Sequence, residues 1–219
     1  MENKIIEMVE LQKKLNDFTN GSDWRNNITK EGKTINWKRA IVLEAGELID
    51  SYPWKWWKSI DKDPDRDNIL IETVDIWHFV ISHCLSIGLR PDTIATVFTN
   101  LDHDTDLHIE CTIEEEIESI ENLIDTTFVD DNQFAILNAF IHMSKCVGVG
   151  MNDLYKTYVG KNVLNIFRQN NGYAEGTYIK EWNGTEDNVY LTNILDSINE
   201  VTYDEVYAKL DSVYKELMK

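Results

Sequence analysis

Apolar residues at Ile5, Met8, Val9, Leu11, Leu15 and Phe18 return every three or four positions, which lays them along one face of a helix. That period, rather than the alternation of a strand, governs most of the chain. Asn20-Gly21-Ser22-Asp23 breaks the first helix, and after a polar loop Ile35 to Ser51 resumes helical spacing until Pro53 stops it. Asp67 is placed to cap a third helix running to about Leu89, where Gly88 and Pro91 supply a stop. Thr112 with Glu115 forms a capping box opening IEEEIESIENLI, and Asn132 to about Val147 reads as another helix ending at Gly148 or Gly150. Asn152 opens a long helix through Gln169 with Gly172 placed to end it, and a second capping box, Thr202 with Glu205, starts a C-terminal helix. Alternating strand patterns and Asn-Gly hairpins between β-branched runs are missing, so the expected class is all-α.

The 219 residues are expected to form a single all-α domain. Within it, the segment from about Pro91 to Gly150 is bounded by helix breakers and is expected to be an inserted, mobile helical subdomain.

Thirty-nine acidic residues against 21 basic ones give a net charge of −18, a field that repels nucleic-acid backbones and anionic membrane surfaces. Duplex nucleic acid and membranes are therefore not expected as partners. A free nucleotide stays open, because divalent metals held on carboxylates invert the local sign of the field. Cys84, Cys111 and Cys146 are odd in number, widely spaced and without a CxxC pair, which suggests reduced thiols rather than a disulfide framework or a zinc site. MENKIIEMVE lacks the basic stretch and apolar run of an export signal, and Ile76 to Leu89, the longest charge-free apolar stretch, is too short to cross a bilayer. A soluble, cytoplasmic protein is expected.

Chemistry concentrates in two acidic pairs. Glu44 and Glu47 lie three apart on the second helix, Glu72 and Asp75 three apart on the third, so each pair shares a helical face. The pattern is E-x-x-E, a spacer of 24 residues, then E-x-x-D. One such pair in so acidic a chain is commonplace on a solvated face. Two, set among Ile41, Leu43, Leu48, Ile69, Ile71, Val74 and Trp77, adjoin a buried stripe, where ionised groups need a cationic answer. Lys38 and Arg39 could supply it, but Mg²⁺ held between facing helices suits oxygen ligands and a pyrophosphate-bearing substrate better. IEEEIESIE carries acids almost all round, so Glu114 to Glu121 are read as a solvated face. Gly46 stands between the glutamates where a helix favours Ala, a cost that a close helix or metal approach would explain.

Cations gather elsewhere. Lys161, Asn165 and Arg168 fall at i, i+4 and i+7 on one helical face and can converge on a polyphosphate, with Tyr173 and Lys180 following in a Gly-rich loop. The alternative is an irregular capped loop with solvated cations. Gln12 and Asn16 form an i, i+4 amide pair able to read a pyrimidine edge. Trp54, Trp56 and Trp57 in PWKWWK can stack on a base or fill a dimer core, the core being the safer reading for any single one. His78, one turn beyond Asp75, is more often a satisfied core group than a ligand.

LQKKLN at 11–16, EAGELIDSYPWKWWK at 44–58, IETVDIWHF at 71–79, and KNVLNIFRQNNGY with GTYIKEWNGTEDN between 161 and 188 together closely resemble the dimeric dUTPases. These belong to the all-α nucleoside triphosphate pyrophosphatases, alongside the MazG-type enzymes. The resemblance implies a helical bundle of that type, a homodimer, and hydrolysis of dUTP to dUMP and pyrophosphate, with dUDP and, in some relatives, dCTP as further substrates. It implies that Glu44, Glu47, Glu72 and Asp75 bind two or three Mg²⁺ ions, with Glu47 orienting or deprotonating the attacking water. By the same resemblance Gln12, Asn16, Trp56 or Trp57, and His78 surround uracil, while Lys161, Asn165, Arg168, Tyr173, Lys180 and Asn188 meet phosphate, sugar or base.

Overall fold

The computed structural model describes residues 1–58, 62–103, 110–129, 132–199 and 201–217. Among them the chain forms nine α-helices: α1 Glu2–Asn20, α2 Trp37–Asp50, α3 Arg66–Ser86, α4 Pro91–His103, α5 Ile113–Val129, α6 Ala135–Cys146, α7 Met151–Asn170, α8 Asp187–Asp196 and α9 Tyr203–Leu217. Side chains set several boundaries. The Asn36 carboxamide oxygen accepts from Arg39 N–H at the start of α2, and Asp65, two residues before the expected cap, accepts from Asn68 N–H at the start of α3. The Thr112–Glu115 capping box forms in both directions, with Glu115 N–H donating to Thr112 Oγ1 and Thr112 N–H to Glu115 Oε2.

The chain divides into two compact units, Met1–Leu154 and Tyr155–Lys219, the boundary falling within α7. In the first unit α2 packs along α3, α1 against α3 and α4, and α5 against α2 and α6. α3 is the axial element. Ile69, Val74, Ile76, Trp77, Val80, Ile81 and Leu85 are all buried along it, and the Trp77 ring stacks on Phe140 of α6 at 4.7 Å between centroids. By length and composition α3 could cross a membrane, contrary to the expectation that no segment is long enough, but 61% of its apolar window is buried inside the protein. It carries Glu72 and Asp75 and is a core helix.

Two expectations are corrected in this unit. Cys111 and Cys146 are joined by a disulfide with their Cα atoms 5.5 Å apart, tying the chain two residues before α5 to the last residue of α6. Only Cys84 is a free thiol among the described residues, and its burial pushes the thiol up to about 12. Glu116, read as part of a solvated acidic face, is buried and accepts from Arg66 Nη1 and Nη2 and from Tyr52 Oη. Trp56 and Trp57 are 86% and 55% exposed in the single chain and pack edge to face on one another.

The second unit buries Val163, Leu164, Phe167, Trp182, Leu191, Leu195, Val206 and Leu210. It contains α8 and a short antiparallel hairpin, β1 Glu181–Trp182 with β2 Thr185–Glu186, neither of which the periodicity predicts. Asn183 and Gly184 both have positive φ, the two-residue turn that hairpin twist favours. Gly172 closes α7 at φ +92°, and its carbonyl accepts from Thr177 and Tyr178 N–H. A side chain there would collide with Thr177 Oγ1.

Candidate active site

α2 and α3 bring Glu44, Glu72 and Asp75 together, with one carboxylate oxygen of each within 4.8 Å of the others. The three are half-buried. Their helical spacing does this directly: Glu72 and Asp75 lie one turn apart on α3, and Ile41, Ala45 and Leu48 bury the face of α2 that turns toward the core. Glu47, one turn beyond Glu44, is exposed and lies outside that group. The donor set is all oxygen, and three carboxylates at this separation repel one another unless a cation answers them. The group could hold a divalent metal. At Gly46 a Cβ would meet nothing within 4 Å, so no close helix approach explains that glycine.

One turn further along α3, a second cluster forms against α1. His78 Nδ1 lies 2.6 Å from Gln12 Oε1, Gln12 Nε2 donates to Asn16 Oδ1 at 3.0 Å and to Ser82 Oγ at 3.0 Å, and Asn16 Nδ2 donates to Ser82 Oγ at 2.9 Å. All four residues are buried. Burial forces the pairing, because each polar atom withdrawn from water costs free energy unless bonded. Ser82 had not been singled out in the sequence, where a helical serine is unremarked and its partners on α1 lie 66 and 70 positions away.

The second unit holds its cations in a network of their own. Arg168 Nε and Nη2 donate to the two oxygens of Asp187 at 2.9 and 2.7 Å, and Tyr178 Oη donates to Asp187 Oδ2 at 2.8 Å. Arg168 Nη1 reaches Asn165 Oδ1 at 3.2 Å, while Lys161 Nζ donates to Asn188 Oδ1 at 3.0 Å. Hydrogen bonds thus link Lys161 to Asn188 and Arg168 to Asn165 and Asn188. Burial, then the bond to Asp187, raises the Tyr178 phenol well above its ordinary range. Lys180 Nζ sits 5.7 Å over the exposed Tyr173 ring, a cation–π contact on the rim. Asp187 was missed in the sequence; the signal was an acid in the first turn of α8, where it favours a helix start.

An α-helical protein that gathers three carboxylates from adjacent helices beside a buried amide pair has the architecture of the all-α, metal-assisted nucleotide hydrolases. The family model for dUTPase matches residues 4–173, and the chain belongs to that all-α dUTPase family. It is a hydrolase of the dUTP diphosphatase kind, acting on a nucleotide substrate. The match spans both acidic pairs, the amide pair, and Lys161, Asn165, Arg168 and Tyr173, and ends before Lys180, Asp187 and Asn188. No curated protein matches the chain.

Proposed function

We propose that the enzyme hydrolyses dUTP to dUMP and pyrophosphate, and dUDP to dUMP and phosphate, with Mg²⁺ held by Glu44, Glu72 and Asp75. The observation that carries this reading is the trio of half-buried carboxylates within 4.8 Å, in a chain of the dUTPase family. A divalent ion bound there supplies Lewis-acid neutralisation of phosphate oxygens and acidifies water. Three gathered carboxylates support one ion; a second or third would draw on Glu47 and on the substrate's own oxygens.

Glu47, exposed one turn from Glu44, is proposed to orient the attacking water and accept its proton. By family resemblance the water oxygen joins the β-phosphorus as the bridging bond to the α-phosphate breaks, so the water oxygen leaves in pyrophosphate. Gln12 and Asn16 are proposed to read uracil, with His78 beside them. The solvent exposure of Trp56 and Trp57 supports base stacking by one of them, or cover by a second copy in a homodimer. Lys161, Asn165, Arg168, Tyr173, Lys180 and Asn188 are proposed to meet phosphate, sugar or base. No duplex nucleic acid is expected as a substrate for so acidic a surface.

The test is pyrophosphate release from dUTP, dCTP, dTTP and UTP, each with Mg²⁺ and with chelator. Turnover of dUTP that survives chelation would sink the metal assignment. Glu47→Gln is expected to lower kcat by about 10²–10⁴-fold, the usual worth of a positioned general base; unchanged turnover would remove Glu47 from that role. Sedimentation equilibrium reports the oligomeric state.

A further inference from the structure

Ser82 gives the buried cluster a direction. A hydroxyl carries one proton, and Ser82 Oγ donates it to the His78 carbonyl one turn back on α3, at 2.8 Å. Toward α1 the oxygen can therefore only accept. Two amide nitrogens meet it, Gln12 Nε2 and Asn16 Nδ2.

Carboxamides are nearly symmetric in shape, so hydrogen bonding alone decides which end faces a neighbour. The bonds among Gln12, Asn16 and His78 would be equally satisfied if the three groups reversed together. Gln12 would turn its N–H toward His78 and its oxygen toward Asn16, and His78 would exchange tautomers. With Ser82 in place that reversal sets two acceptor oxygens against a third. The observed order follows: Gln12 commits both N–H groups, its oxygen faces His78, and His78 Nδ1 must carry the proton that it shares across 2.6 Å. In these bonds Asn16 spends one N–H and one oxygen lone pair, keeping one of each in a fixed order.

A fixed amide distinguishes the two pyrimidines that share a ring shape. Uracil presents N–H at ring position 3 between two carbonyls; cytosine presents a bare nitrogen there, with an amino group at position 4. An amide that offers oxygen to position 3 and N–H to position 4 matches uracil at both and opposes cytosine at both. We infer that Ser82 is a specificity-determining positioning residue, which holds the Asn16 amide in the orientation that accepts uracil and rejects cytosine. This rests on the proposed role of Gln12 and Asn16 as base readers.

The test compares kcat/KM for dUTP and dCTP with Mg²⁺ in the full chain, for wild type, Ser82→Ala and Ser82→Thr. Wild type is expected to prefer dUTP, Ser82→Ala to lose at least about tenfold of the dUTP/dCTP ratio, and Ser82→Thr, which keeps the hydroxyl, to retain it. Should Ser82→Ala not fold, Ser82→Cys, similar in size but a weak acceptor, is read in its place with the same threshold. A merely structural serine would lower both substrates together; a ratio within about twofold of wild type overturns the inference, as does a wild type that ignores the base. Asn16→Ala separates this from the underlying reading: if it leaves dUTP turnover intact, the base-reader assignment itself fails.

Discussion

Arg66 and Glu116 form a two-pronged pair, Nη1 to Oε2 at 2.7 Å and Nη2 to Oε1 at 3.0 Å, that joins the first residue of α3 to the first turn of α5. Tyr52 Oη donates to the same carboxylate at 2.7 Å, and burial, then that bond, raises its phenol far above the ordinary range. Tyr52 follows α2, so the buried Glu116 ties the ends of both carboxylate-bearing helices to α5. Arg66→Ala strands a buried charge with one neutral partner. The expected cost is about 2–3 kcal/mol, below the ~3–5 of a fully buried pair because the arginine is half exposed. Urea unfolding measures it, and a loss under about 0.5 kcal/mol would class the pair with surface ion pairs.

Gly46 lies in the exposed middle of α2 with open space where a Cβ would stand. Nothing in the packing requires it. Gly46→Ala is expected to stabilise the fold by about 0.5–1 kcal/mol through helix propensity, read as a higher melting temperature. A destabilised variant would mean that the backbone there needs glycine's freedom.

What could be read in advance, and what could not, divides by sequence distance. The presence and approximate extent of α1 to α3, the two acidic pairs and the Thr112–Glu115 box are local patterns, each written within a few helical turns, although α3 starts from Asp65 rather than Asp67. Glu116 looked solvated because its run has acids all round; its meaning lies in Arg66, 50 positions away. The disulfide spans 35 positions without a CxxC signature, and Ser82 matters only through α1. The hairpin escaped because two-residue strands are too short to alternate, although Asn183-Gly184 marks its turn. Among the proposed metal ligands, spacing could put Glu44 and Glu47 on one face but not say that only the first reaches Glu72 and Asp75.

His83 has its imidazole lowered to about 4, chiefly by burial and then by the nearby Lys38 charge. In the unfolded chain it titrates near the ordinary histidine value of about 6.5. Above that value both states are neutral and its contribution to stability is fully present. As pH falls from about 6.5 toward 4 the unfolded chain takes up the proton first, and stability is lost. Replacing His83 by Gln removes that linkage. Between pH 7 and 4.5 the melting temperature of His83→Gln is expected to fall less steeply than that of wild type; parallel curves would place the acid sensitivity in the carboxylates alone.

Cys111 and Cys146 close a loop of 35 residues around the α5–α6 hairpin, far along the chain from Glu44, Glu72 and Asp75. A crosslink of that span restricts the unfolded chain and is worth about 3–4 kcal/mol in the chain-entropy account. The carboxylates themselves sit on α2 and α3, which pack along one another, bury Ile41, Leu48, Ile69 and Val74, and carry neither cysteine of the crosslink. Reduction is therefore expected to lower stability by roughly that amount in urea, and to leave dUTP turnover at 25 °C close to that of the oxidised enzyme. The two forms are distinguished by thiol titration in denaturant, which should find one reactive cysteine, Cys84, in the oxidised chain and all three after reduction. A reduced enzyme equally stable to urea would show that the crosslink only records the proximity of its ends. One that loses turnover while still folded would instead couple α5, through Glu116 and Arg66, to the geometry of the acidic trio.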